Sequence, residues 1–173
     1  NSEEELIQNI EDYKGILVSV NAEKVMNPDP LIKDIINNNF GFTDGIGAAM
    51  ALRYKGVSTV KIPGAWLWLS IIKKFEGKKK FYILGGHPDV LKKTMEMLAV
   101  DYPKAEFIGH HDGYLKDDEE EKILQEIKSK GADVVFVAMG TPKQEILMNK
   151  FLQKHPAIYM GLGGSYDVYC GLK

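Results

Sequence analysis

Between Asp133 and Gly140 the chain runs Val134-Val135-Phe136-Val137-Ala138-Met139 without one polar side chain. A strand sends alternate side chains to opposite faces, so an unbroken apolar run predicts burial on both faces. The run stops at Gly140-Thr141-Pro142, and Ile146, Leu147 and Phe151 then recur at helical spacing in a helix expected over 143–154. Strand, glycine turn and amphipathic helix, in that order, form the repeating unit of a parallel sheet covered by helices on both sides.

The same unit recurs along the chain. Gly15-Ile16-Leu17-Val18-Ser19-Val20 reads as a buried strand. Lys79-Lys80-Phe81-Tyr82-Ile83-Leu84 reads as another, ending at Gly85-Gly86, with Val90, Leu91, Thr94, Met95 and Leu98 on one helix face beyond it. A short strand is expected over 105–109, and a helix opened by the acidic residues Asp117 to Glu121, which complement the positive end of a helix dipole. Ala157-Ile158-Tyr159-Met160-Gly161-Leu162-Gly163 closes the series as a strand ending in glycine. The first 75 residues are less regular. A helix ends in the Asn-rich stretch 34–39, and helices are expected over 46–54 and 66–75. The expected fold is α/β, a Rossmann-like mainly parallel sheet. No repeat, low-complexity tract or linker divides the 173 residues, so one domain is expected.

Composition excludes several function classes. A net charge of −2 and a pI of 6.1 exclude an electrostatically driven nucleic-acid binder. One cysteine, Cys170, excludes a disulfide framework and a Cys-based zinc finger, and reads as a reduced thiol in a cytosolic protein. No run of about 18 apolar residues predicts a transmembrane helix, and no signal-peptide pattern is present. The chain opens on Asn1 and stops at Lys173, and both ends read as trimmed.

Three strands end in glycine loops: Gly85-Gly86, Gly140-Thr141-Pro142 and Gly163-Gly164. In an open parallel sheet the strand C-termini border the ligand crevice, and glycine lets backbone approach a phosphate or sugar closely. Together the loops suggest a nucleotide or sugar-phosphate site, although neither a Walker A loop nor a dinucleotide fingerprint is present. Thr43-Asp44-Gly45-Ile46-Gly47 places a carboxylate before a flexible turn. Asp44 is either a helix N-cap or a general base aimed into the crevice. Gln144 and Glu145 either cap a helix or bind a sugar or base. Ser19 and Asn21 are either turn-forming or pocket-lining. Arg53 and Lys61 are either surface cations or partners of a diphosphate. The histidines are scattered, and no metal site is expected. Nor is there a Gly-x-Ser-x-Gly elbow or an Asp-x-Asp pair. Trp66 and Trp68 read as core or interface residues.

Asn21-Ala22-Glu23, Asp44-Gly45-Ile46-Gly47, Gly140-Thr141-Pro142-Lys143-Gln144-Glu145 and the segment from Gly161 through Asp167-Val168-Tyr169 to Gly171 occur in an order that resembles the WecG/TagA/CpsF family of bacterial glycosyltransferases. The resemblance covers nearly the whole chain. It implies an inverting, metal-independent transfer, without cofactor, of an N-acetylmannosamine-type sugar. The donor is a UDP-sugar and the acceptor a polyprenyl-diphosphate-linked sugar, as in teichoic acid or other cell-surface polysaccharide synthesis. By the same resemblance Asp44 is the base and Ser19, Asn21 and Thr43 line the sugar pocket beside it. Gln144 contacts the donor or acceptor, Glu145 supports the same loop, and Thr141 and Pro142 bind substrate there. Lys61 neutralises the leaving diphosphate, and Gly45, Arg53, Gly85, Gly86, Gly140, Gly163 and Gly164 shape the substrate crevice.

Two departures bear on these roles. Trp66 stands where relatives commonly carry an acidic residue, which bears on donor identity. Relatives also continue past the Val-Tyr-x-Gly segment with a basic, arginine-containing tail tied to membrane attachment and completion of the site. The expected location is therefore cytoplasmic, at the inner face of the cell membrane through that tail. Apolar surface exposed at a trimmed end would favour a homo-oligomer. A non-catalytic nucleotide-sugar-binding or assembly module and a nicotinamide-dependent enzyme are the competing readings.

Overall fold

The computed structural model describes residues 2–21, 24, 29–44, 50, 54, 64–116 and 118–173. Among these residues six strands make one sheet: β1 (Gly15–Val20), β2 (Phe40–Thr43), β3 (Lys80–Gly85), β4 (Glu106–His111), β5 (Val134–Ala138) and β6 (Ile158–Gly161). Their spatial order is β2-β1-β6-β5-β3-β4, and every neighbouring pair is parallel. Among the described residues seven helices accompany it: α1 (Glu3–Asn9), α2 (Pro30–Asn37), α3 (Gly64–Phe75), α4 (Pro88–Asp101), α5 (Glu119–Lys130), α6 (Lys143–Leu152) and α7 (Ser165–Tyr169). This is the expected Rossmann-like α/β arrangement.

The apolar runs behave as two-faced strands. Val134, Phe136 and Ala138 of β5 join Leu17, Ile83 and Met160 in one core, closed by α1, α3, α4 and α7. The residues between them, Val135 and Val137, join Val18, Leu84 and Tyr159 in a second core, closed by α2, α5 and α6. The central strands β1, β3, β5 and β6 are thus covered on both faces, while β2 and β4 at the sheet margins are partly exposed. Because every strand is parallel, all six C-terminal ends emerge at one edge of the sheet. The three glycine loops and Asp44 therefore share that edge.

Three elements were not expected. β2 has only four residues, Phe-Gly-Phe-Thr, and lies at the sheet margin with its first half part-exposed. It is held in place by side chains. The Tyr13 hydroxyl accepts from Phe40 N at 3.1 Å, and Asn39 Oδ1 accepts from Ile16 N at 2.9 Å while Asn39 Nδ2 donates to the Ile35 carbonyl. The Asn-rich stretch thus closes α2 and fastens it to β1. α1 is announced by Ser2, whose side chain accepts from Glu5 N, and α7 is a five-residue turn beyond Gly164. The helix expected over 46–54 lies, apart from Met50 and Tyr54, outside the described residues, as does Asp117. The acidic helix start is realised at Glu119, Glu120 and Glu121.

Gly85 shows why β3 must end in glycine. Its φ is +104°, and a Cβ there would stand 2.2 Å from the Ala138 carbonyl oxygen. Among the described residues no helix is long and apolar enough to cross a membrane.

Tyrosines seal both cores. Burial pushes the Tyr82 hydroxyl up, and the Glu126 carboxylate that accepts its hydrogen bond at 2.8 Å adds to this. Burial likewise raises Tyr159 and Tyr166; the latter donates to the Leu84 and Phe136 carbonyls. In the unfolded chain these phenols ionise near pH ~10. The folded state holds them protonated well above that, so their contribution to stability is fully present below about pH 10 and is lost as pH rises past it. In a spectrophotometric titration at alkaline pH these three should ionise only together with the loss of the helical circular dichroism signal. Reversible ionisation of all the tyrosines before unfolding would contradict the packing described.

Candidate active site

Two clusters of polar side chains stand at the C-terminal edge of the sheet. The first is at β1 and β2. Ser19, half-buried near the end of β1, pairs with Phe42 of β2, and Val20 pairs with Thr43. Asp44 follows directly, its N–H donating to the Val20 carbonyl at 3.1 Å. The Ser19 hydroxyl donates to Asp44 Oδ2 at 3.2 Å. Gly64 N–H, the first of α3, donates to Asp44 Oδ1 at 3.3 Å. A Cβ on Gly64 would meet Oδ2 at 2.9 Å, so glycine is what admits the helix this close. The positive end of α3 favours the carboxylate anion. Asp44 therefore does bind a helix N-terminus, but that of α3, twenty positions on. Its half-buried carboxylate has about four acceptor positions, of which these bonds use two. Thr43, the residue before it, is buried, while Asn21 is exposed and its Oδ1 accepts from Lys24 N at 3.0 Å.

The second cluster joins the loops after β5 and β6. Gln144, 3% exposed, lies in the first turn of α6 with its side chain turned inward. Its Oε1 accepts from Met139 N at 3.4 Å and Gly163 N at 3.1 Å, which straps the two loops together. Its Nε2 donates to Glu145 Oε1 at 3.2 Å and lies so near β6 that a Cβ on Gly161 would stand 2.6 Å away. Glu145, 1% exposed, also accepts from the Thr141 hydroxyl at 3.1 Å. The loop between them carries exposed Thr141 and Pro142 and half-buried Gly140. All contacts of Gln144 and Glu145 among the described residues are internal, so geometry makes them the scaffold of this loop.

Sequence reasoning passed over Lys24, the residue that links the clusters. Its ammonium donates to the Ser19 carbonyl at 2.9 Å and to Glu145 Oε1 at 2.7 Å. Its side chain is 6% exposed. No local pattern marks a lysine for burial; its partner lies 121 positions away.

The loop after β3 is committed to the fold. Gly86 N–H donates to the Ala138 carbonyl at 2.8 Å, and the Gly86 carbonyl accepts from Gly113 N at 2.9 Å. That N–H is not free for a phosphate. Gly163 and Gly164 are exposed beside the second cluster, with Gly163 N–H spent on Gln144. Gly45, Arg53 and Lys61 lie outside the described residues. Trp68 is wholly buried and Trp66 is 50% exposed.

The arrangement offers an oriented carboxylate beside glycine-lined strand ends, with buried polar groups fixing the surrounding backbone. Such a carboxylate can accept a proton from a bound hydroxyl. In comparison with known families, the model of the glycosyl transferase WecG/TagA/CpsF family matches residues 1–173.

Proposed function

This chain belongs to the WecG/TagA/CpsF glycosyl transferase family, and on that premise we propose that it transfers an N-acetylmannosamine-type sugar from a UDP-sugar to a polyprenyl-diphosphate-linked sugar. The observation that carries the reading is the Asp44 carboxylate, held at the strand ends by Ser19 and by the N-terminus of α3. Asp44 takes the proton from the acceptor hydroxyl. The acceptor oxygen bonds to the anomeric carbon as the bond from that carbon to the UDP oxygen breaks, and UDP leaves with the electron pair from the opposite face. One displacement of this kind inverts the anomeric centre. Ser19 and Gly64 keep the carboxylate in one orientation, the near-attack geometry that makes an intramolecular proton acceptor effective. Lys61 meets the charge that develops on the leaving diphosphate, in place of a metal ion. Gln144 and Glu145 set the loop that borders the substrates. A lipid-linked acceptor places the reaction at the cytoplasmic face of the membrane, the protein acting as a peripheral enzyme in cell-surface polysaccharide or teichoic acid synthesis.

Calorimetric titration with UDP in EDTA, with NAD as control, tests the reading. Metal-free UDP binding without NAD binding is the expected result. Binding of NAD alone would replace the transferase reading by a nicotinamide one, and UDP binding without turnover on any lipid-linked acceptor would favour a binding module. Turnover is expected to survive EDTA. Loss of activity that Mg²⁺ or Mn²⁺ restores would remove Lys61 from its role.

A further inference from the structure

Lys24 sits where an ammonium is seldom placed. A lysine head group is strongly hydrated and almost never fully buried without a partner. Here it gives one N–H to the backbone of β1 and another to Glu145 at the start of α6. Glu145 Oε1 is shared by Lys24, Thr141 and Gln144, whereas Oε2 is buried with no hydrogen-bond partner among the described residues. The carboxylate therefore depends on Lys24 for its compensation. From Gln144 the contacts run on to Met139 and Gly163, and from Ser19 they run on to Asp44 Oδ2. One ammonium thus joins the ends of β1, β5 and β6.

We propose that Lys24 is a positioning residue for the transfer: by gripping the Ser19 carbonyl and Glu145 it fixes the strand end that carries Ser19, and through Ser19 the Asp44 carboxylate, relative to the loop after β5. The proposal rests on the assignment of Asp44 as the base. It predicts that removing Lys24 disturbs Asp44 even where the buried charge is balanced in another way.

Lys24→Met alone leaves Glu145 uncompensated and would mix misfolding with mispositioning. The pair Lys24→Met with Glu145→Gln removes both charges together. Three quantities are read on the whole protein: the melting temperature, the backbone amide resonances of Asp44 and Gly64, and kcat and KM for transfer. The double variant is expected to melt near the parent. Its Asp44 and Gly64 resonances shift, and kcat falls by about 10- to 100-fold with the donor KM unchanged. Lys24→Arg, which can still reach both acceptors, should recover most of kcat. Unmoved Asp44 and Gly64 resonances in the folded double variant, or full kcat, would overturn the proposal and leave Lys24 a stabilising residue only. Should the double variant not fold, Lys24→Gln paired with Glu145→Gln, which also removes both charges and leaves two amides able to hydrogen-bond each other, is read by the same criteria. If the parent protein transfers no sugar, the proposed function falls, and the resonances alone decide the role of Lys24.

Discussion

Asp44→Asn is expected to lower turnover by about 10²–10⁴-fold while affinity for UDP stays nearly unchanged. The substitution keeps the shape of the side chain and one carbonyl oxygen, which can still accept from Ser19 or from Gly64 N–H. What it removes is the ability to take a proton and the anion at the N-terminus of α3. Loss of the anion costs about 0.3–1 kcal/mol of stability, so the variant should fold and melt within a few degrees of the parent. The Ser19→Ala variant provides the contrast. It deletes one hydrogen bond to Asp44 Oδ2 but leaves the base, so its loss of turnover should be far smaller. Full turnover in a folded Asp44→Asn protein would remove Asp44 from the reaction and, with it, the observation on which the proposed function stands.

The parts of the fold legible in the sequence are those whose pattern is local. β5 announces itself because both faces are buried, and each residue from Val134 to Ala138 is apolar for that reason. α6 follows because Leu147 and Phe151 recur on one face above the second core. β2 is hidden because a four-residue marginal strand containing Gly41 has neither length nor alternation. It exists through what lies beside it, the pairing with β1 and the Tyr13 and Asn39 side chains. The site divides along the same line. Ser19 could be singled out by its position at a strand end and Asp44 by its place before a glycine turn, and the structure brings them together. The linkage of Lys24 to Glu145, and of Gln144 to Gly163, is created by the strand order, which places β6 between β1 and β5. A residue whose partner is chosen by topology carries no mark in its own neighbourhood. Trp66 and Trp68 make the same point, since two positions on one helix separate a half-exposed ring from a wholly buried one.

Trp68→Ala is expected to destabilise the protein by about 3–5 kcal/mol, the range for deleting a buried aromatic side chain from a close-packed core. Trp68 has no exposed surface and stands at the junction of α3, α7 and the central strands. Its ring meets Phe136 edge-on at 5.7 Å, Tyr166 at 5.5 Å and Tyr169 at 5.4 Å. Its Nε1 donates to the Ala65 carbonyl at 2.9 Å, so the one polar atom of the ring is satisfied within its own helix. Truncation would empty the space between three aromatic neighbours, one on β5 and two on α7, and no single neighbour can collapse into it. At about 2–4 °C per kcal/mol for a chain of this size, the melting temperature should fall by roughly 6–20 °C. Trp66→Ala on the same helix, at a half-exposed position, should stay within about 0.5 kcal/mol of the parent. Urea titrations of the two variants, followed by circular dichroism, provide the comparison. The protein has two tryptophans, so each variant also isolates the emission of the other ring. Trp66→Ala should leave a blue-shifted, quencher-protected spectrum and Trp68→Ala a red-shifted, accessible one. Equal losses of stability, or reversed spectra, would mean that α3 presents its other face to the sheet. Gly64 would then no longer be held beside Asp44.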